Sequence, residues 1–283
     1  MRLSLLLALL LSPALHAAPR KPPAPSNDLP CGEGCTSWDS PQQAFARVLA
    51  AQPELLAVGE VHEVEGASKR VKSAIKRFTQ LMLPALKGKA SHLVVETWIT
   101  SGRCGEVEKQ ASAQVQKVTR RPAQTENEVL TLMKSAYDLG ITQHILTLEC
   151  EEYRSMLQAD GEMDPGKTLL LVKDKMAEKA LKVRAKESAA AGRRMVVLYG
   201  GAVHNDVAPS EGFKEYSFAA ELGAAAPGKY LELDLYVPEY IEKDDDLKKE
   251  PWFAEAMQLS AKGRTVLLHP RAATFLLVFP RTR

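Results

Sequence analysis

The sequence predicts an α/β protein: a mostly parallel central sheet flanked by helices on both faces, in three layers, with its site at the C-terminal ends of the strands. Two observations lead there. Short apolar runs alternate with longer amphipathic stretches through the first four strands, the pattern of consecutive βα units. Two of those runs, Leu55–Val58 and Met195–Tyr199, are followed by the same motif, Gly59-Glu60-Val61-His62 and Gly201-Ala202-Val203-His204. Glycine lets the backbone turn sharply where a strand stops. Ligands of open α/β sheets sit outside the carboxyl ends of the strands.

The elements follow in order. Ser40–Ala51 has a helical pattern, with Ser40 as N-cap and Pro41 at the first helical position. Leu55–Val58 is a strand. Ala67–Leu86 reads as one long amphipathic helix, with Val71, Ile75, Phe78, Leu81 and Met82 on its apolar side. His92–Glu96 is a second strand, Glu126–Leu139 a helix stopped by Gly140, and Ile141–Glu149 a third strand. Thr168–Ala191 is a long helix stopped by Gly192, and Met195–Tyr199 is the fourth strand. Tyr230–Val237, Thr265–His269 and Phe275–Phe279 are later strands, spaced closely enough to add antiparallel edges.

Residues 1–17 read as a secretory signal peptide: Met1-Arg2 is positive, Leu3–Leu11 is apolar, and Pro13–Ala17 is a cleavage region. The apolar run is too short to span a bilayer, and no later segment is long enough. Residues 18–39 form a Pro-rich extended segment, and 40–283 are sized as a single α/β domain. The expected location is exported, periplasmic or extracellular. Lys plus Arg is 37 against 35 Asp plus Glu, a net +2. This balance gives no electrostatic case for nucleic acid or an anionic membrane. Export permits disulfides. Of the three pairings open to four cysteines, Cys31–Cys35 and Cys104–Cys150 are favoured, because the second would join loops after two neighbouring strands. A zinc site at Cys31–Cys35 is the alternative.

The strand ends carry the chemistry. Glu60 and His62 follow the first, Glu96 ends the second, Glu149 the third, and His204-Asn205-Asp206 follow the fourth. Imidazoles and carboxylates in one cleft could hold a divalent metal. They could equally act without one, with His as general base oriented by a carboxylate. His92, His144 and His269 read as packed or edge histidines. Gly161–Thr168 fits GxxxxGK[ST], but no strand precedes it, Glu162 and Asp164 oppose phosphate, and Pro165 removes a donor. It reads as a turn leading into a helix. His62-Glu63 is not an HExxH motif, because position 66 is Gly.

The ordered set resembles the superfamily of ChaN-like haem-binding proteins, erythromycin esterases and Tiki/TraB-type proteins, with the ChaN-like family as its nearest branch. The resemblance rests on Gly59-Glu60-Val61-His62, Val94-Val95-Glu96, Lys173-Asp174-Lys175-Met176-Ala177 and Gly201-Ala202-Val203-His204. Lys173 stands where that family usually has Arg, a point charge in place of a planar fork. The resemblance implies a hydrolase of ester, lactone or peptide bonds, or haem binding without catalysis. Glu60, His62, Glu96 and His204 are then catalytic residues or metal ligands. Lys173, Asp174, Asn205 and Glu149 support them, with Asn205 placed to hold an attacked carbonyl oxygen. Tyr153 and Tyr199 are positional suggestions for a haem ligand. The expected partner is a small-molecule or peptide substrate, or haem.

Overall fold

The structure is a computed structural model and describes residues 28–62, 68, 70–101, 104–105, 124–187 and 194–282. The signal peptide, its cleavage region, most of the Pro-rich segment and the helix stop at Gly192 lie outside the described residues. The nine strands are β1 (Leu29–Pro30), β2 (Cys35–Trp38), β3 (Leu55–Glu60), β4 (Ala90–Thr100), β5 (Thr142–Leu148), β6 (Met195–Gly201), β7 (Tyr230–Tyr236), β8 (Thr265–Arg271) and β9 (Thr274–Val278). They form one sheet in the order β1-β2-β8-β9-β7-β3-β6-β4-β5. From β9 through β7, β3, β6 and β4 to β5, every neighbouring pair is parallel. The β1, β2, β8 and β9 edge is antiparallel. The expected three-layer fold is therefore the observed one, including its antiparallel margin.

Helices cover both faces. On one, Phe45, Val48, Phe78, Leu132 and Ala136 pack on Leu56, Val58, Leu93, Val95 and Val197. On the other, Val172, Met176, Ala180 and Leu222 pack on Leu55, Ala57, Val196 and Leu198. The central strands are buried on both faces, and so read as continuous apolar runs rather than alternating ones.

Several boundaries follow their sequence signals. The helix Pro41–Leu49 is capped by Ser40, whose side chain accepts the Gln43 N–H. The helix Gln124–Asp138 ends before Gly140, which takes φ +76° while Ile141 N–H closes on the Ala136 carbonyl. Other boundaries move. The long helix expected over 67–86 is a short α-turn, Ala74–Arg77, capped by Ser73. It widens into a π-turn over Phe78–Met82 and tightens to 3-10 over Leu83–Leu86. Pro84 has no N–H to give, so the i to i−4 ladder cannot continue through it. The helix expected from Thr168 starts at Pro165 and runs to Arg184. Asp164 caps it by accepting the Lys167 N–H, so the phosphate-loop lookalike is a turn into a helix. The sheet also begins earlier than residue 40. Leu29–Pro30 pairs with Cys35–Trp38 and Cys35–Trp38 with β8, so part of the extended segment 18–39 adds strands to the sheet. The helices Ala219–Ala225 and Phe253–Ala261 carry too little periodicity to be read from sequence.

Both favoured disulfides are present, Cys31–Cys35 and Cys104–Cys150. The second ties the segment after β4 to the first residue of the helix that follows β5. No helix among the described residues is long and apolar enough to cross a membrane, and with two disulfides this is compatible with an exported protein.

The disulfides differ in the loops they close, 46 and 4 residues in sequence separation. Loop-closure entropy predicts a loss of about 4 kcal/mol for a Cys104→Ser/Cys150→Ser protein and about 2 kcal/mol for Cys31→Ser/Cys35→Ser. Denaturant unfolding of both variants measures this; equal losses would contradict it.

Candidate functional site

The parallel register of β3 and β6 places the two repeated motifs side by side. Gly59 lies opposite Gly200 and Glu60 opposite Gly201. The glycines leave room that other side chains occupy. A Cβ on Gly59 would stand 2.7 Å from Ala202 Cα, and one on Gly200 would stand 2.9 Å from Glu96 Cβ.

Glu60 continues the inward row of Leu56 and Val58 and is 7% exposed. Its Oε2 accepts the Tyr199 hydroxyl at 2.6 Å, and its Oε1 lies 2.9 Å from His62 Nδ1. The carboxylate accepts, so Nδ1 carries the proton and the basic lone pair of neutral His62 falls on Nε2. The imidazole keeps 29% of its side chain exposed, enough for a small molecule to reach it.

Glu96 does not end its strand. β4 runs on to Thr100, but its pairing with β5 jumps from Val94↔His144 to Trp98↔Leu146. Four steps on one strand face two on the other, and Glu96 sits inside that bulge. Such irregularities re-aim side chains. Glu96 Oε2 accepts the Gly201 N–H at 2.5 Å, while Oε1 lies 4.0 Å from His204 Nε2. His204 is 2% exposed, and its Nδ1–H donates to the Tyr216 carbonyl at 2.9 Å. The site thus consists of two Glu–His couples that meet at Gly201. The point where a Cβ of Gly201 would stand is 2.9 Å from His62 Nε2 and 3.6 Å from Glu96 Oε2. Beside them lies a small cavity of about 10 Å³, room for a single water, lined by Glu60, Ile75, Val95, Glu96, Tyr199 and Gly200 among others. A wider hollow at the opposite edge, near Glu54, Lys89 and Lys229, collects the amino ends of strands and no comparable couples.

The structure brings together Glu60, His62, Glu96 and His204, packs Asn205 behind them against Gly59, and gives all four supporting residues other partners. Glu149 caps the helix Cys150–Ser155 through a reciprocal capping box with Glu152. β5 stops at Leu148, one residue short of it. Asn205 is 2% exposed and spends both amide protons, on Asp234 Oδ1 at 2.9 Å and on the Ala57 carbonyl at 3.3 Å. It has none left for a carbonyl oxygen of substrate. Lys173 pairs with Asp174, and Asp174 is 64% exposed. Met176 and Ala177, from the same motif, are core. Tyr153 is buried with Leu148 and Met156, and the Tyr199 hydroxyl serves Glu60, so neither tyrosine presents its oxygen as a haem ligand. His269 stacks on Phe275, with Nδ1 bonded to the Thr274 carbonyl.

A divalent metal does not fit this arrangement. Both Glu60 oxygens are engaged by His62 and Tyr199, one Glu96 oxygen is engaged by Gly201, and His204 Nδ1 is bonded to the Tyr216 carbonyl. Among the described residues, no three His, Cys, Asp or Glu side chains gather as ligands.

Sequence reading missed a second carboxyl pair. Glu232 and Asp234 share one face of β7, two residues apart and both buried. Glu232 Oε2 accepts the Val207 N–H and the Thr274 hydroxyl. Asp234 faces Asn205 and the Gly59 backbone. Burial raises both pKa values; the Glu232 charge raises that of Asp234 further, and the Asp206 charge that of Glu232, with Asp234 the more strongly shifted. The signal was available in Tyr230–Tyr236, where acids alternate with leucines inside a run that must be a central strand.

No protein-family profile matches the chain, and no curated protein matches it. A search of solved structures returns a distant likeness, the type III effector HopBA1. It is 13% identical with a TM-score of 0.42, over 84% of this chain and 94% of that one.

A folded-state pKa raised above the unfolded value stabilises the fold below the unfolded pKa and loses that stabilisation as pH rises. The stability difference between wild type and Asp234→Asn should therefore be largest in favour of wild type at about pH 4 and shrink as pH rises. Denaturant unfolding from pH 4 to 8 reads this difference, and a constant one would refute the raised pKa.

Proposed function

We propose that the chain is an exported, metal-independent hydrolase of small esters, lactones or amides, acting at the Glu60–His62 couple. The observation that carries this reading is the order of contacts Tyr199–Glu60–His62. A buried carboxylate, itself held by a tyrosine, fixes the tautomer of a partly exposed imidazole. That is what a general base requires: a defined lone pair within reach of solvent. His62 Nε2 takes a proton from water as the water oxygen attacks the carbonyl carbon. The His62 imidazolium then returns that proton to the alcohol or amine as its bond to the carbonyl carbon breaks, and the Glu96–His204 couple lines the site beside it at Gly201. Tyr199 is a positioning residue in this scheme, because it acts through Glu60.

The resemblance of the Gly59–His62, Val94–Glu96 and Gly201–His204 motifs to the ChaN/erythromycin-esterase/Tiki superfamily supports hydrolysis and belongs to the same proposal.

Wild-type protein should hydrolyse at least one member of a panel of nitrophenyl esters, lactones and peptides. His62→Ala and Glu60→Gln should each lower kcat/KM by about 10²-fold or more, with unchanged circular dichroism. Tyr199→Phe should lower kcat with little change in KM and shift the pH–rate profile. Full activity in His62→Ala, or a wild-type enzyme inert to the whole panel, would overturn the reading; a Soret shift on haem titration would replace it with the binding alternative.

A further inference from the structure

Two histidines outside the site are joined in a chain of hydrogen bonds. β4 and β5 are parallel neighbours, with His92 opposite Thr142 and Val94 opposite His144. The two rings are diagonal neighbours on adjoining strands, with centroids 5.0 Å apart. His92 Nδ1 and His144 Nε2 are separated by 2.9 Å. On the far side of the His92 ring, Nε2 lies 3.2 Å from Oε1 of Glu187, just beyond the helix Pro165–Arg184. The carboxylate accepts, so His92 Nε2 carries its proton and Nδ1 offers a lone pair. His144 fills that lone pair with its own Nε2–H. The chain of bonds thus joins β5, β4 and the end of the helix.

An N–H···N bond holds one proton between its two nitrogens. His144 Nδ1 is the basic nitrogen left in the pair. A proton there makes an imidazolium facing Lys179 of the helix and Lys186 beyond its end. A further proton on His92 Nδ1 sets two N–H groups against each other across 2.9 Å, and the rings then part. Lys186 and Arg194 also face His92, opposed by Glu187. Gln143, the neighbour of His144 in β5, turns the other way, to the Met133 carbonyl. Neutral rings fit this setting and charged ones do not.

The position of the pair gives its protonation a consequence. Val94↔His144 is the last regular pair before the register jumps to Trp98↔Leu146, and Glu96 lies inside that jump. β5 ends the sheet, so β4 is its one strand partner among the described residues. We propose that His144, His92 and Glu187 form an acid-operated latch, which holds β5 to β4 at the bulge that aims Glu96 and lets go when both rings are charged. Burial, and then His92 and the two lysines, bring the His144 pKa down from 6.5 to about 4, and burial also lowers that of His92. A depressed histidine pKa leaves the closed form intact above about pH 6.5 and weakens it as pH falls to about 4, because the open form takes up protons first. Control of catalysis by the latch rests on the hydrolase reading; its opening does not.

Amide hydrogen exchange of the full chain at pH 7 and pH 4, corrected for intrinsic rates, tests this. In wild type the protection of the β5 amides bonded to β4 should fall about tenfold or more between the two, while that of β3 holds. His144→Gln keeps an N–H for His92 Nδ1 but takes no second proton, so its β5 protection should stay nearly constant. His92→Gln can accept from His144 and donate to Glu187, and should lose less protection than wild type; it serves where the first variant fails to fold. Equal β5 protection at both pH values in wild type, or the wild-type loss in either folded variant, would overturn the latch. With an ester that the wild type hydrolyses, kcat/KM of His144→Gln should match wild type at pH 7 and exceed it increasingly as pH falls to 4. A constant ratio would uncouple the latch from Glu96, whereas a wild type inert to every substrate would sink the hydrolase reading alone.

Discussion

The site depends on one steric constraint: two adjacent parallel strands carry glycines at their carboxyl ends, Gly59 in β3 and Gly200 and Gly201 in β6. Because β3 and β6 are paired in register, Gly59 lies beside Gly200 and Glu60 beside Gly201. The volume that side chains would fill at these positions is taken by Asp234, Asn205, Glu96 and His62. The two turns can then approach each other, and the carboxylates can lie across backbone rather than beside it. An alanine at Gly59 would meet backbone at 2.7 Å, which no rotamer change relieves. The glycines thus act through absence, and each histidine is placed by what its neighbouring strand lacks.

The same sheet carries acids on both faces, with opposite consequences. Glu60 projects toward Tyr199 and a partly exposed imidazole, where each of its oxygens has a donor. Asp234, opposite Gly59 on the neighbouring strand, points to the other face, into a wholly buried setting beside Glu232. The first arrangement keeps a carboxylate useful as an acceptor. The second favours a shared proton. One residue of strand alternation separates the two outcomes, since Gly59 and Glu60 are consecutive.

Local signals carried much of the fold. Apolar runs marked the parallel strands, Ser40 and Gly140 marked helix ends, and Asp164-Pro165 explained the false phosphate loop. The four central site residues were legible because each lies within three residues of a strand end or bulge. The rest depends on pairing, which a single sequence does not display. The bulge at Glu96 exists only as a mismatch between β4 and β5. Asn205 and Glu149 have the chemistry expected of them, but long-range partners and a helix cap have already used it. Pro84 broke a helix whose apolar spacing was sound. The short strand Cys35–Trp38 lacked length enough to stand out, and β8 supplies the partner that makes it a strand.

The acid row of β7 also bears on how the chain finds its alignment. Glu232 and Asp234 alternate with Leu231, Leu233 and Leu235, and the leucines face the main core. A slip of one residue against β3 would exchange the two sets, driving both carboxyls into aliphatic surroundings and the leucines among polar partners. Two misplaced buried acids cost far more than two misplaced leucines. Among the alignments open to a central strand of this apolar character, the carboxyls make the wrong ones prohibitive. In the folded sheet they hold β7 to one register, a task separate from any chemistry at the sheet's edge.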